Sequence, residues 1–266
     1  MNRLVYIVDS HQRLDEKDSH SNFSFSIQLP IMPTASAAGL AVCVLRACIP
    51  RSYYLINQTY GNTFTLQEDA KTAVVTIPYG NYTASNFITT LLPLLNAASP
   101  NARIYAISFS TLTGKFTYTV TGGGATSSFI LGPKIGSGLH EQLGVTPGRN
   151  SSVTFTLPFT SSNVVNFRLK DTLQIHSDIC SAGKNDVLQD IVIAGQPNFS
   201  SLVYNSTESL MNSKALNTVS SNTYYFRITD EDGQIINLNG VNCVITLCIY
   251  QPMETLQRKF MLASLQ

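Results

Sequence analysis

The chain has 266 residues, enough to bury a full core as one large β domain or two small ones. Charged residues make up 12% and the formal net charge is +1, against about 25% charged residues in ordinary soluble domains. That balance gives no electrostatic reason for nucleic acid or an acidic membrane as the main partner. The polar share is carried by Ser, Thr and Asn, which suits packing against protein neighbours because little charge must be desolvated.

The opening "MNRLVYIVDSHQR" turns polar before any long apolar run or small-residue cleavage site, so no leader is expected, and residues 1–20 read as an N-terminal arm. "NFSFSIQL" follows with Phe23, Phe25, Ile27 and Leu29 on one face and Asn22, Ser24, Ser26 and Gln28 on the other. "LAVCVLRACI" is apolar without alternation and reads as a central, deeply buried strand. The next element is the one clear helix. From Ser85, Phe87, Ile88, Leu91, Leu92, Leu94 and Leu95 recur at helical spacing, opposite Asn86, Thr89, Thr90, Pro93 and Asn96. Thr83 or Ser85 can cap it, and its stripe is expected to close one side of the sandwich.

"SFSTLTGKFTYT" is a hairpin turning at Gly114, with Phe116, Tyr118 and Val120 on its inner face. "GLHEQLGV" is a second short helical piece ending at Gly144. "VTFTL", "VLQDIVIA", "TYYFRIT" and "CVITLCI" complete the strands, the second and fourth read as deeply buried, and Gly233 and Gly240 punctuate "ITDEDGQIINLNG". Residues 198–221 and the tail beyond Gln251 are the loosest parts. Many alternating strands with very few helices indicate an all-β sandwich or jelly roll.

Catalytic chemistry is nearly absent. His11, His20, His140 and His176 have no metal-ligand spacing, and His140–Glu141 reads as a solvated helix face rather than an acid/base pair. The Gly-Lys and Gly-Gly-Gly stretches lack the context of a phosphate or dinucleotide loop. "DEDG" (Asp230–Gly233) reads as a turn rather than a cation loop. The five cysteines form no CxxC and read as buried free thiols; the six Asn-x-Ser/Thr sequons read as unmodified. No catalytic, cofactor-binding or metal residue is assigned. Tyr53, Tyr54, Tyr60, Tyr79 and Tyr82 cluster in sequence as either a contact surface or satellite core. Tyr53, Tyr54, Tyr79 and Tyr82, with Phe260 in the tail, are the candidate interface residues.

One resemblance covers about residues 5–250. In order, the pieces "YIVDSHQR", "SNFSFSIQLP", "VLRACIPRSYYLINQTYGNTFTL", "VTIPYGNYTASNFITTLLPLLN", "ISFSTLTGKFTYTV", "LHEQLGV" and "YFRITDEDGQIINLNGVNCVITLCIY" resemble the penton-type, single-jelly-roll minor capsid proteins of virophages and polinton-like viruses. The resemblance implies one eight-stranded antiparallel jelly roll at residues 21–250, with loop insertions and a C-terminal tail at 251–266. It also implies a non-enzymatic homopentamer at the fivefold vertices of an icosahedral virion. There it would sit among double-jelly-roll major capsid proteins, without cofactor, membrane span or specific nucleic acid, and with a host receptor as a further partner. The competing readings are a receptor- or glycan-binding jelly-roll module, such as a fibre head, and a β-sandwich hydrolase or cupin-like enzyme, which would need clustered His and carboxylate ligands.

Overall fold

The computed structural model describes residues 3–29, 39–57, 59–122, 126–133, 139–170, 172–180, 186–193, 197–207, 212–217 and 222–251. The chain divides into two compact units: residues 1–53 with 170–266, and residues 54–169 between them.

The first unit holds β1 (Arg3–Asp9), β2 (Asn22–Ser26) and β3 (Ala41–Pro50), then β11 (Thr172–Ser177), β12 (Val187–Val192), β13 (Ser201–Asn205), the two-residue β14 (Lys214–Ala215), β15 (Thr223–Asp230) and β16 (Val244–Tyr250). One sheet runs β1-β16-β3-β13, with β14 also on β3, and the other runs β12-β11-β15-β2. Every pairing is antiparallel. In jelly-roll lettering the long strands are B-I-D-G and F-E-H-C, the two interlocked Greek keys of a single jelly roll. Period-two patterning is the cause. Val8, Val44, Ile245 and Leu247 from one sheet, and Phe23, Ile175, Phe226 and Ile228 from the other, are at most 1% exposed, so alternate residues of each strand fill the core.

Three expectations are corrected here. Residues 3–9, read as part of an arm, pair along their whole length with β16, because Leu4, Tyr6 and Val8 alternate toward the core as in any other strand. "VLQDIVIA" supplies an edge strand, not a central one; Leu188 and Ile191 turn inward while Val192 is 73% exposed. The third correction is the helix, which belongs to the second unit.

That unit carries β4 (Thr63–Glu68), β5 (Lys71–Thr76), α1 (Ala84–Ala98), β6 (Ile104–Ser110), β7 (Lys115–Thr121), β8 (Ser127–Leu131), α2 (His140–Leu143), β9 (Val153–Thr156) and β10 (Phe159–Thr160). Its sheets are β5-β4-β8-β9 and β10-β7-β6. Helix α1 lies on β5 and β6. Phe87, Leu91 and Leu95 are buried there with Phe64, Phe116, Tyr118 and Phe129, so the Leu-rich stripe completes the core of the inserted unit and not the side of the jelly roll. Thr83 Oγ1 accepts from the Asn86 amide while Asn86 Oδ1 accepts from the Thr83 amide, a reciprocal cap of the first turn. Pro93 is tolerated on the exposed side, and the helix runs through it to Ala98. Thr83→Ala is expected to cost the unit about 1 kcal/mol, read as a lowered midpoint in urea; an unchanged midpoint would mean the cap contributes nothing.

Gly144 closes α2 in the left-handed region, at φ 68. A Cβ there would meet Asn163 O and Ser161 Cβ at 2.8 Å, so both conformation and space demand glycine.

Candidate functional site

His140 is buried at 3% exposure, which corrects the solvated-face reading, and Glu141 Oε2 accepts from Asn166 Nδ2 at 2.9 Å. His176 Nδ1 lies 2.8 Å from Asp186 Oδ1, and its Nε2 lies 3.0 Å from Thr229 Oγ1. Arg227 donates to the other Asp186 oxygen at 2.7 Å. The Asp230 carboxylate of "DEDG" accepts from the Asp232 and Gln234 amides, and Asp232 pairs with Lys170 at 2.9 Å, so this is a self-satisfied turn. All five cysteines are free, four of them buried. Burial pushes the Cys43 thiol up to about 11 and the Cys243 thiol up to about 12, far from the thiolate form that reacts. Among the described residues no group of His, Cys, Asp and Glu is arranged to hold a metal. No described helix is long and apolar enough to cross a membrane.

The tyrosines adjacent in sequence are separated by the fold. Tyr53 is 3% exposed in the jelly-roll unit. Tyr54 and Tyr60 are half-buried in the inserted unit. Tyr82 donates to Pro78 O and meets the Phe87 ring edge-on at 5.8 Å, while Tyr79 is 52% exposed. Phe260 lies outside the described residues.

What the fold exposes instead is sheet that carries little charge. Across four strands of the inserted unit, Val74–Thr65–Ile130–Thr154 and Thr72–Gln67–Ser128–Thr156 form two cross-strand rows. Ser128 and Thr156 are hydrogen-bonded across the second row. The outer face of β6 and β7 repeats the pattern with Ala106–Thr119 and Ser108–Thr117, the latter continued by Thr160. On the jelly roll, the outer face of β1-β16-β3-β13 leaves Val5, Ile7 and Val203 exposed at 58%, 64% and 51%. Such faces are covered by protein at modest desolvation cost, since they carry little charge, Arg46 of β3 being exposed in the row Ile7–Thr246–Arg46–Asn205.

The end of the jelly roll from which the chain leaves for the insertion is the polar counterpart. The β15–β16 connection is its hub. Asn242 Oδ1 lies 2.7 Å from His20 Nδ1 and accepts from Ser10 Oγ, Ser52 Oγ donates to Leu238 O, and Asn239 Nδ2 donates to Ser52 O. Ser21 Oγ donates to Ile236 O. The Arg51 amide donates to Ser200 O and the Phe199 amide to Arg51 O. These bonds tie the β1–β2, β12–β13 and β15–β16 connections together at one level. Sequence reasoning passed over Arg51 and Phe199. The available signal was a charged residue directly after a buried strand ("ACIPRS"), where a cation is out of place.

A single jelly roll with a large second unit inserted between its third and fourth long strands, and no assembled catalytic groups among the described residues, is the class that fold and surfaces define. No family model matches the chain, and no curated protein matches it. Among solved structures it is similar to the mavirus penton protein at 12% identity and TM-score 0.45, covering 95% of this chain and 100% of that one. It is also similar to a chain of the Sputnik virophage particle solved by electron cryomicroscopy, at 12% identity and TM-score 0.46, covering 96% and 99%.

Proposed function

We propose that this protein is a structural capsid subunit, a penton whose homopentamer closes the fivefold vertices of an icosahedral virion among double-jelly-roll major capsid proteins. The observation that carries the reading is the complete B-I-D-G and F-E-H-C jelly roll, an architecture used by capsid and lectin domains and by cupins. Three further features favour the capsid role. The outer faces, Thr-rich in the inserted unit, apolar on the jelly roll and low in charge, suit burial against neighbours. The jelly-roll core is filled chiefly by Val, Ile, Leu and Phe, and among the described residues it holds no cluster of His and carboxylates such as a cupin-like enzyme would need. The ordered motifs that resemble penton-type minor capsid proteins lie in both units.

The test is the mass and symmetry of the purified full chain, by light scattering with class-averaged electron micrographs. A fivefold ring is the expected result. A stable trimer would replace the reading with a fibre head or another capsid position, and specific glycan binding would favour the receptor-module reading.

A further inference from the structure

Arg51 follows the last residue of β3 and is 8% exposed. Its Nε is closed off from solvent without a hydrogen-bond partner. Among the described residues the rest of the guanidinium makes no side-chain hydrogen bond or ion pair either. An arginine cannot shed its proton to escape this, and the Nη atoms, unlike Nε, are open to solvent, so the exposed end of a mostly buried guanidinium is available to an incoming anion.

The second observation is Phe199. It stands at φ 62 with its ring 69% exposed, although the left-handed region is strained for a bulky residue and such strain gathers at working sites. It is held there by Arg51 itself. The Phe199 amide donates to Arg51 O at 3.0 Å, the Arg51 amide donates to Ser200 O at 2.7 Å, and Ser200 Oγ donates to Pro197 O at 2.7 Å. An outward aromatic ring coupled to an unpaired arginine is the composition of an interface anchor.

The opposite edge carries the complement. Strands β1 and β2 are edge strands joined by one connection, and β12 and β13 are the other two edges. The β1–β2 connection exposes Leu14 at 54%, followed by exposed Asp15 and Glu16, with the half-buried Arg13 before them and the exposed Lys17 after them. It is bonded through Ser10 and His20 to Asn242, in the same β15–β16 connection that Ser52, next to Arg51, also reaches. One edge therefore offers a cation and a ring, and the other, at the same end, offers carboxylates and a leucine. A closed ring joins unlike edges of successive subunits.

We propose that the Arg51–Phe199 edge docks the Leu14–Glu16 turn of a second copy of this chain, the guanidinium taking an Asp15 or Glu16 carboxylate and Phe199 covering Leu14. This rests on the ring assembly proposed above and names its contact.

The experiment is sedimentation of the full chain across concentration. Glu16→Lys, in an exposed turn, weakens self-association by roughly thirtyfold or more, as does Arg51→Glu, and the two together restore it. Arg51→Met weakens association equally but leaves the melting midpoint of the dilute subunit unchanged or higher, since no ion pair or side-chain hydrogen bond within the subunit is lost and the partnerless Nε has gone. A photo-crosslinking phenylalanine analogue at 199 gives an adduct on residues 11–18 of another copy. The proposal is overturned if Glu16→Lys assembles normally, if the adduct maps elsewhere, or if Arg51→Met lowers the midpoint. A pentamer that survives these changes removes this contact and leaves the penton reading standing, whereas an unmodified chain that stays monomeric removes both.

Discussion

Phe116→Ala is expected to remove about 3–5 kcal/mol from the inserted unit, enough to unfold it or nearly so, since whole domains hold about 5–15 kcal/mol. Phe116 is fully buried on β7, and its ring meets those of Phe87, Phe109, Tyr118 and Phe167 at 6.0, 5.5, 5.9 and 6.1 Å. Truncation loses the transfer term, leaves a cavity that four rings cannot fill without leaving their rotamers, and removes several aromatic pairings worth about 0.5–1.5 kcal/mol each. The measurement is hydrogen exchange by residue. Protection should fall across β4, β6, β7 and α1 and stay native in β3 and β16, because those strands belong to a separate compact unit. Equal loss in both would mean that the two units unfold together.

The same strand that makes Phe116 predictable explains what the sequence hid. Alternation in "KFTYTV" and "TYYFRIT" assigns Phe116, Tyr118, Tyr224, Phe226 and Ile228 inward, and all five are fully buried. Alternation states which face of a strand is covered, but not by which sheet. Both units are built from strands of the same period, with no Pro/Gly linker at residues 53–54 or 169–170. The division into two cores is a property of long-range pairing, as when β3 meets β16 and β13 across the whole insertion. Helix α1 was legible for a local reason: its cap and stripe are set within sixteen residues, Thr83–Ala98. Its destination was not, since a Leu stripe fits any apolar sheet. The tyrosine run gave no hint of the division either: Tyr53 and Tyr54 are neighbours in sequence and fall in different units. The Arg51–Phe199 pairing depends on backbone hydrogen bonds between segments far apart in the chain, and no local pattern encodes it.

The largest electrostatic effect should come from Glu68. Its side chain is fully buried beside Arg103. Glu68 Oε1 accepts from Ser99 Oγ and from the Tyr105 hydroxyl, both at 2.6 Å, and Oε2 accepts from the Asn101 amide at 2.9 Å. Arg103 Nη1 donates to Ser127 Oγ at 2.7 Å and Nη2 to Asp69 Oδ2 at 2.8 Å. Burial alone would raise the Glu68 carboxyl, but the Ser99, Tyr105 and Asn101 donors and the Arg103 charge outweigh it and hold it below its ordinary 4.5. Burial, then the bond to Glu68, pushes the Tyr105 hydroxyl up to about 12. A carboxyl whose folded value is depressed stabilises the fold above its unfolded value, and that stability is lost as pH falls through the folded value. The inserted unit should therefore weaken below about pH 4.5. Glu68→Gln keeps the shape but puts an amide NH2 where a carboxylate oxygen accepted hydrogen bonds, and removes one of the two carboxylates beside Arg103. Removing one member of a buried ion pair costs about 3–5 kcal/mol. The variant should be less stable at neutral pH by that order, and its stability should no longer fall across the acid window as the native unit's does. Urea midpoints at pH 7 and pH 4 for both chains decide it: parallel acid losses would place the sensitivity in another carboxylate and assign Glu68 a packing role only.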